Sequence, residues 1–213
     1  MAWTRPNYIP PELEKFTIAH QWDDGNPYSL LGDVDPFTEQ ALSKVTARAA
    51  IAYAIGCAEW VVFRFCNLSD DPRPYLFIEA SWAFQMSNRY ACPPESDESE
   101  WKGEIRGPID LTLMTILNTI YAVEDGSPHV EAAFAEQLPL HVIPNQQNFL
   151  NWRGTVLERL QHLYPISTAD NMGPPVPREA LDPSSQFDSA GAAKLVDMFF
   201  ENLDEKANSY LRT

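Results

Sequence analysis

The segment from Ala49 to Phe65 constrains the fold most, because it is apolar on nearly every side of a helix. Apolar residues recur there at spacings of three and four, which is the period of one helical face. That face consists of Ala49, Ala52, Gly56, Trp60 and Phe63. The opposite side is also apolar, around Ile51, Ile55 and Val62. Since a helix that is apolar all round is buried, we predict a central helix surrounded by other helices.

The same segment does not fit a membrane span. Glu59 and Arg64 interrupt it, whereas a spanning helix needs about 20 apolar residues with few or no charges. A second apolar stretch, from Ile109 to Val123, is shorter and carries Asp110 and Asn118. We therefore expect no interaction with a membrane.

The rest of the pattern predicts an all-α fold. Asp35 and Pro36 mark the start of the first helix, because aspartate caps the free N–H groups of a first turn and proline is favoured at the first helical position. We expect this helix to continue to about Asn67. Further helices are predicted over residues 74–90, 108–124, 128–138, 145–164 and 187–203, and for 75–79 a strand is the competing interpretation. The chain is thus predicted to be one domain, 1–213, mainly a bundle of about six helices.

Two stretches are predicted to lie outside the helices. Residues 1–34 contain prolines and glycines too often for a long element, and we expect an irregular arm packed on the helical body. A short strand near residues 16–20 is the exception considered there. Residues 165–185 are rich in proline and are predicted to form an ordered surface loop near the end of the chain.

The charge of the chain excludes some partners. It carries 30 acidic residues against 15 basic ones, a formal net charge of −15. Such a chain repels phosphate backbones, so nucleic-acid binding is not expected. A basic protein partner would be attracted, most strongly at low salt. The alternative is that the acidity serves solubility alone.

The cysteines and the N-terminus indicate a reducing compartment. Cys57, Cys66 and Cys92 are odd in number and include no CxxC pair, which is typical of proteins whose thiols stay reduced. The first fifteen residues lack the basic stretch followed by an apolar stretch that marks a signal peptide. We expect a cytoplasmic protein.

Motifs for catalysis are missing from the sequence. The histidines show no HExxH spacing, no GxSxG elbow is present, and neither GxGxxG nor GxxxxGK[ST] occurs. We therefore predict no metal, no cofactor and no catalytic residue from motifs, and leave open whether the chain is an enzyme.

Three charged residues inside predicted apolar helices are candidates for a buried polar site: Glu59, Arg64 and Glu79. A buried charge must be paired, so either carboxylate is expected to meet an arginine in the core. The functional alternative is a carboxylate with a raised pKa that lines a pocket.

A dense acidic run is the candidate partner-binding surface. Its residues are Glu95, Asp97, Glu98 and Glu100, followed by Trp101, with Asp23 and Asp24 of the arm as an extension. Carboxylates attract a basic partner and tryptophan anchors it, a combination found at energetic centres of interfaces. The simpler interpretation is a solvated loop.

These observations support three hypotheses of function. The leading one is an acidic protein-binding module that neutralises or escorts a basic protein partner. Bacterial immunity proteins, which inhibit the toxins of neighbouring cells, share its properties. The second is an enzyme with a noncontiguous carboxylate/His site in a helical bundle, and the third is a structural or oligomeric accessory protein. Convergence of the buried carboxylates on a pocket would favour the second, whereas one continuous acidic patch would favour the first.

Overall fold

The computed structural model describes residues 4–95, 101–167 and 171–213. It is mostly helical, with 55% of the chain in helices and no strand in the part described, and it confirms the predicted all-α class. The one β-type pairing in those ranges is an isolated bridge between Val45 and Pro165.

The α-helices follow one another along the chain, and short 3-10 helices lie in the arm and in the Pro-rich segment. Their bounds are α1 Pro36–Leu42, α2 Ala47–Arg64, α3 Arg73–Met86, α4 Gly103–Tyr121, α5 Pro128–Phe134, α6 Gln137–Val142, α7 Gln147–Leu163 and α8 Ala192–Asn202. The 3-10 helices are Pro11–Lys15, Pro27–Leu30 and Arg178–Leu181.

Helix α2 is the centre of the fold, as its all-round apolarity predicts. Every one of its residues is buried, and it contacts α3, α4, α5, α6 and α7. Gly56 explains how closely the neighbours approach, because a Cβ there would lie 2.8 Å from a methyl of Leu181 and 2.9 Å from the ring of Trp152. Glycine at position 56 thus lets these two side chains pack directly against the backbone of α2.

The single helix predicted over 35–67 is wrong, because the chain breaks between Leu42 and Ala47. Asp35 does cap α1 by accepting a hydrogen bond from the amide of Phe37. The break follows from long-range pairing with the segment after α7: the amide of Thr46 donates to the carbonyl of Tyr164, 3.0 Å away, beside the bridge from Val45. Helical spacing gives no sign of such a distant partner.

Helix α4 begins one turn earlier than predicted, so that Pro108 lies inside it. Proline has no N–H to donate to the carbonyl four residues back, which belongs to Glu104. Nε2 of His20 lies 2.8 Å from that carbonyl oxygen. A side chain of the arm thus satisfies the acceptor that proline leaves free, and this contact makes an internal proline compatible with the helix.

Three further regions can be compared with the predictions. Residues 75–79 are helical, so the competing strand is excluded. The helix predicted over 128–138 is two helices, α5 and α6. No strand forms at 16–20.

The arm packs on the helical body. Ile9 and Leu13 are buried, and the ring of Tyr8 stacks on that of Trp152 with centroids 5.4 Å apart. Further along, Trp22 lies against Gly107, where a Cβ would come within 2.0 Å of the indole nitrogen. Glycine is required at that position for the arm to reach α4.

Helix α8 is only partly covered by the rest of the chain. None of its residues is fully buried, and Met198 is 45% exposed. None of the helices in the described ranges is both long enough and apolar enough to cross a membrane.

Candidate functional site

Glu59 is completely buried in the middle of α2 and accepts hydrogen bonds from three different parts of the chain. Nε1 of Trp82, on α3, lies 3.1 Å from its Oε1. Nη2 of Arg178 lies 2.7 Å from the same oxygen. The hydroxyl of Tyr8, in the arm, donates to Oε2. Both carboxylate oxygens are thus satisfied, as a buried charge requires.

Arg178 belongs to the Pro-rich segment, which places its guanidinium beside Glu59. The residues around Arg178 are anchored in the core rather than lying free on the surface. The backbone of Val176 exchanges two hydrogen bonds with the side chain of Gln85 on α3. Val176, Ala180 and Leu181 are fully buried on either side of the arginine. These anchors fix the guanidinium, whose side chain keeps 33% of its surface exposed.

Glu79 lies on α3, about one helical turn before Trp82, and is half-buried. Its Oε2 accepts a hydrogen bond of 2.8 Å from Nδ2 of Asn208. Burial raises the pKa of Glu79, and the negative charge of Asp204 raises it further, whereas the bond from Asn208 and the charge of Arg178 oppose the shift. Within the described ranges, its Oε1 has no hydrogen-bond partner, so this carboxylate is the less satisfied of the two.

Glu59, Glu79 and Arg178 line one cleft with a volume of about 500 Å³. Its walls are otherwise mainly apolar side chains of α3 and α8: Ile78, Trp82, Met86, Leu195, Met198 and Phe199. Small-molecule sites typically enclose roughly 300–1,000 Å³ and combine apolar walls with a few polar groups. The cleft has that size and composition, and its partly exposed wall is α8.

We expect Glu79→Gln to stabilise the fold at neutral pH by roughly 0.5–1 kcal/mol. The raised pKa means that Glu79 ionises more easily in the unfolded chain than in the folded one. The contribution of Glu79 to stability is therefore most favourable below its ordinary pKa of 4.5. This contribution is lost as the pH rises through the pKa that Glu79 has in the folded protein. Glutamine can still accept from Asn208. Urea unfolding should show the gain at neutral pH and its disappearance below the ordinary pKa.

The matched control is Glu179→Gln, at an exposed position of the same cleft. Exposed substitutions usually change stability by less than about 0.5 kcal/mol. A loss of stability in Glu79→Gln at neutral pH would show that the ionised carboxylate is net favourable, contrary to this account.

Arg64 does not join the cleft, although it was a candidate partner for a core carboxylate. It is fully buried, donates from Nη2 to the carbonyl of Thr17 at 2.9 Å, and lies over the ring of Phe65. Burial lowers its pKa. The partner of Glu59 is instead Arg178. The sequence did not indicate this pair, because Arg178 lies 119 positions further on in a loop without helical periodicity.

The predicted acidic surface is only partly described. Asp97, Glu98 and Glu100 lie outside the described residues, and Glu95 is exposed. The side chain of Trp101 is 4% exposed and belongs to the core, and its role as the anchor of a basic partner stays a prediction. The guanidinium of Arg73 covers its ring at 5.1 Å, which explains why the indole is shielded.

Asp23 and Asp24 are exposed but have local contacts. Oδ1 of Asp23 accepts from the amide of Gly25 at 2.9 Å, which is a turn contact. Oδ1 of Asp24 accepts from the amide of Gly103 at 2.9 Å and from Nε1 of Trp22 at 3.1 Å. Asp24 thus places a negative charge at the start of α4, where the helix dipole favours it.

A second buried carboxylate, Glu136, was not predicted. It accepts from Thr38 and Tyr53 at 3.0 and 3.1 Å and faces Arg153 at 3.4 Å. Burial raises its pKa and the charge of Arg153 opposes the shift. The sequence does contain a signal for this site, because Glu136 follows an alanine-rich stretch. A lone carboxylate in such a stretch indicates that it is buried beside a partner. It does not line the cleft.

The histidines also lie apart from the cleft. The rings of His20 and His141 are 5.5 Å apart, and each ring contacts a backbone carbonyl through Nε2. Burial lowers the pKa of His20. Across the described residues, no group of three or more His, Cys, Asp and Glu side chains is arranged to hold a metal ion.

The fold and site define an all-α protein with a mixed polar and apolar cleft between α3 and α8. Comparison with known proteins adds no relative: no protein-family model, no curated protein and no solved structure matches the chain.

Proposed function

We propose that the protein binds a small, largely apolar molecule in the cleft formed by α3, α8 and the Pro-rich segment. The observation that carries this proposal is the convergence of Glu59, Glu79 and Arg178 on one concave, mainly apolar surface. Three parts of the chain that are far apart in sequence supply these groups. Convergence of this kind is the expected property of a noncontiguous site.

Two details support binding rather than plain structural packing. The carboxylate of Glu79 has a raised pKa, because it is desolvated without an ion pair of its own. Retaining a carboxylate that lowers stability is typical of functional sites. In addition, α8 lies over the cleft without burying any residue completely, so the apolar wall that it supplies stays accessible.

The proposal is tested with phenylbutanol, a neutral probe of about the size of a small apolar ligand. At the ligand efficiencies usual for such molecules, its Kd is on the order of 1 mM. We expect an amide NMR titration to shift the resonances of α3 and α8 residues that line the cleft, together with those near Arg178.

The matched control is a pair of tryptophan substitutions at exposed apolar positions. Met198→Trp fills the cleft, since Met198 lines it, whereas Ile166→Trp lies outside its lining. We expect the first variant to weaken probe binding at least about tenfold and the second to leave it unchanged. Equal binding by both variants, or shifts away from the cleft, would refute the proposal.

A carboxylate and histidine enzyme has less support. No histidine in the described ranges lines the cleft, and both oxygens of Glu59 are already occupied by donors. Acid–base chemistry in the cleft would therefore rest on Glu79 and the exposed Glu179. Binding is better supported than catalysis by this lining.

A second proposed function is recognition of a basic protein partner, as an inhibitor or escort of the immunity type. The net charge of −15 supports it, because it favours fast association with a cationic surface. Exposed carboxylates that contribute include Asp23, Asp24 and Glu95. None of these three residues lines the cleft, so the two functions are tested separately.

The partner proposal predicts capture of a basic protein from native lysate at low salt and its release at high salt. Changing Glu95, Asp97, Glu98 and Glu100 together to Lys should weaken capture about tenfold or more. The control makes the same change of charge at exposed carboxylates elsewhere, namely Glu124, Asp125, Glu158 and Glu201. Equal capture by both variants would show that the acidic run is not the interface.

A further inference from the structure

The charges that line the cleft do not balance. Glu59 and Arg178 form a close pair, with Oε1 and Nη2 2.7 Å apart, and so neutralise each other. The other charged residues of the lining, Glu79 and Glu179, are both acidic. The described lining therefore has an excess of negative charge, although it also contains Arg178.

Glu79 is the more buried of these two carboxylates. The groups around it are Asn208, a neutral donor on Oε2, the negative Asp204, and Arg178, whose charge acts on it without a salt bridge. Among the described residues, no cation forms an ion pair with it. A half-buried carboxylate with one partner-free oxygen is suited to accept a charged hydrogen bond from a ligand.

The walls beside Glu79 are aromatic as well as aliphatic. Phe63, Tyr75, Trp82 and Phe199 all line the cleft. The face of an aromatic ring attracts a cation within about 6 Å, and ammonium groups are often recognised by aromatic rings and carboxylates together. The apolar side chains Met198 and Leu195 leave room for the uncharged body of the same ligand.

We infer that the ligand of the cleft is an organic cation, an amine or ammonium compound with an apolar body, whose positive charge is paired by Glu79. This inference rests on the proposed function and adds the class of ligand. The net charge of −15 acts in the same direction, since it raises the local concentration of cations around the protein. An anionic ligand fits less well, because Arg178, the one cation among the described residues of the lining, is already paired with Glu59.

The test compares three probes that each carry a phenyl ring on a chain of four carbons: phenylbutylamine, phenylbutanol and phenylbutyrate. At neutral pH we expect the amine to bind about tenfold more tightly than the alcohol, and the acid to bind most weakly. Only the ionised carboxylate pairs with an ammonium group, so the affinity for the amine should fall as the pH is lowered through the pKa of Glu79. The affinity for the alcohol should stay constant.

Glu79→Gln and Glu179→Gln separate a specific ion pair from general attraction, because each removes one acidic group from the cleft lining. We expect Glu79→Gln to bring the amine within about twofold of the alcohol, and Glu179→Gln to keep most of the difference. Equal binding of amine and alcohol by the unchanged protein, or tightest binding of phenylbutyrate, would overturn the cationic ligand while leaving the cleft as a binding site. Failure of all three probes to bind would overturn both proposals.

Discussion

Replacing Glu59 with Leu is expected to lower the free energy of unfolding by about 3–5 kcal/mol, the usual cost of removing one partner from a buried ion pair. The substitution leaves three donors without their acceptor: the guanidinium of Arg178, the indole N–H of Trp82 and the hydroxyl of Tyr8. Urea unfolding followed by circular dichroism measures the loss, provided that the slope of the transition stays constant.

The double variant Glu59→Leu with Arg178→Leu is the control. Replacing both members of a buried pair by apolar residues is often close to neutral, so the double variant should be more stable than Glu59→Leu alone. If the single substitution changes stability by less than about 1 kcal/mol, the network around Glu59 is not the structural support that these contacts imply.

Replacing Trp152 with Ala is the second change with a large expected effect, about 3–5 kcal/mol of lost stability. The indole of Trp152 lies between Tyr8 of the arm and Tyr53 of α2, with ring centroids 5.4 and 5.8 Å away. Its Nε1 also donates to the carbonyl of Leu181 at 2.8 Å. The substitution thus removes one residue through which α7 contacts the arm, α2 and the Pro-rich segment together.

Trp152→Phe separates packing from hydrogen bonding at this position. It keeps an aromatic ring but loses the donor to Leu181, and we expect about half of the loss caused by alanine. Thermal unfolding measures both variants. An alanine variant as stable as the unchanged protein would show that the arm and the Pro-rich segment do not depend on this ring.

The sequence predicts the central position of α2, though not where the helix begins, because the pattern that indicates burial is local. Apolar residues on all sides of one helix leave few places for it except the centre, and the structure buries all of its residues. The same locality identified Glu59 and Glu79 as charges that need an explanation. Their convergence on one cleft required only that α2 and α3 pack together, which neighbouring helices commonly do.

The elements that the sequence did not predict depend on distant contacts. The break before Ala47 follows from pairing with residues after α7, and the early start of α4 from a side chain of the arm. Arg178 illustrates the same point for the site. Only the fold shows that its partner is Glu59, because no spacing in the sequence indicates the pair. The burial of Trp101 was not evident from the sequence, because a tryptophan beside carboxylates gives the same pattern whether or not an arginine covers its ring.

The measurement that tests the cleft most directly is a crystal structure of the protein soaked with phenylbutanol. We expect density for the probe between α3 and α8, with its hydroxyl within hydrogen-bond distance of Glu79 or Arg178. Probe density only at other surfaces, with side chains of α8 closing the space beside Glu79, would contradict the central claim that this cleft is a binding site.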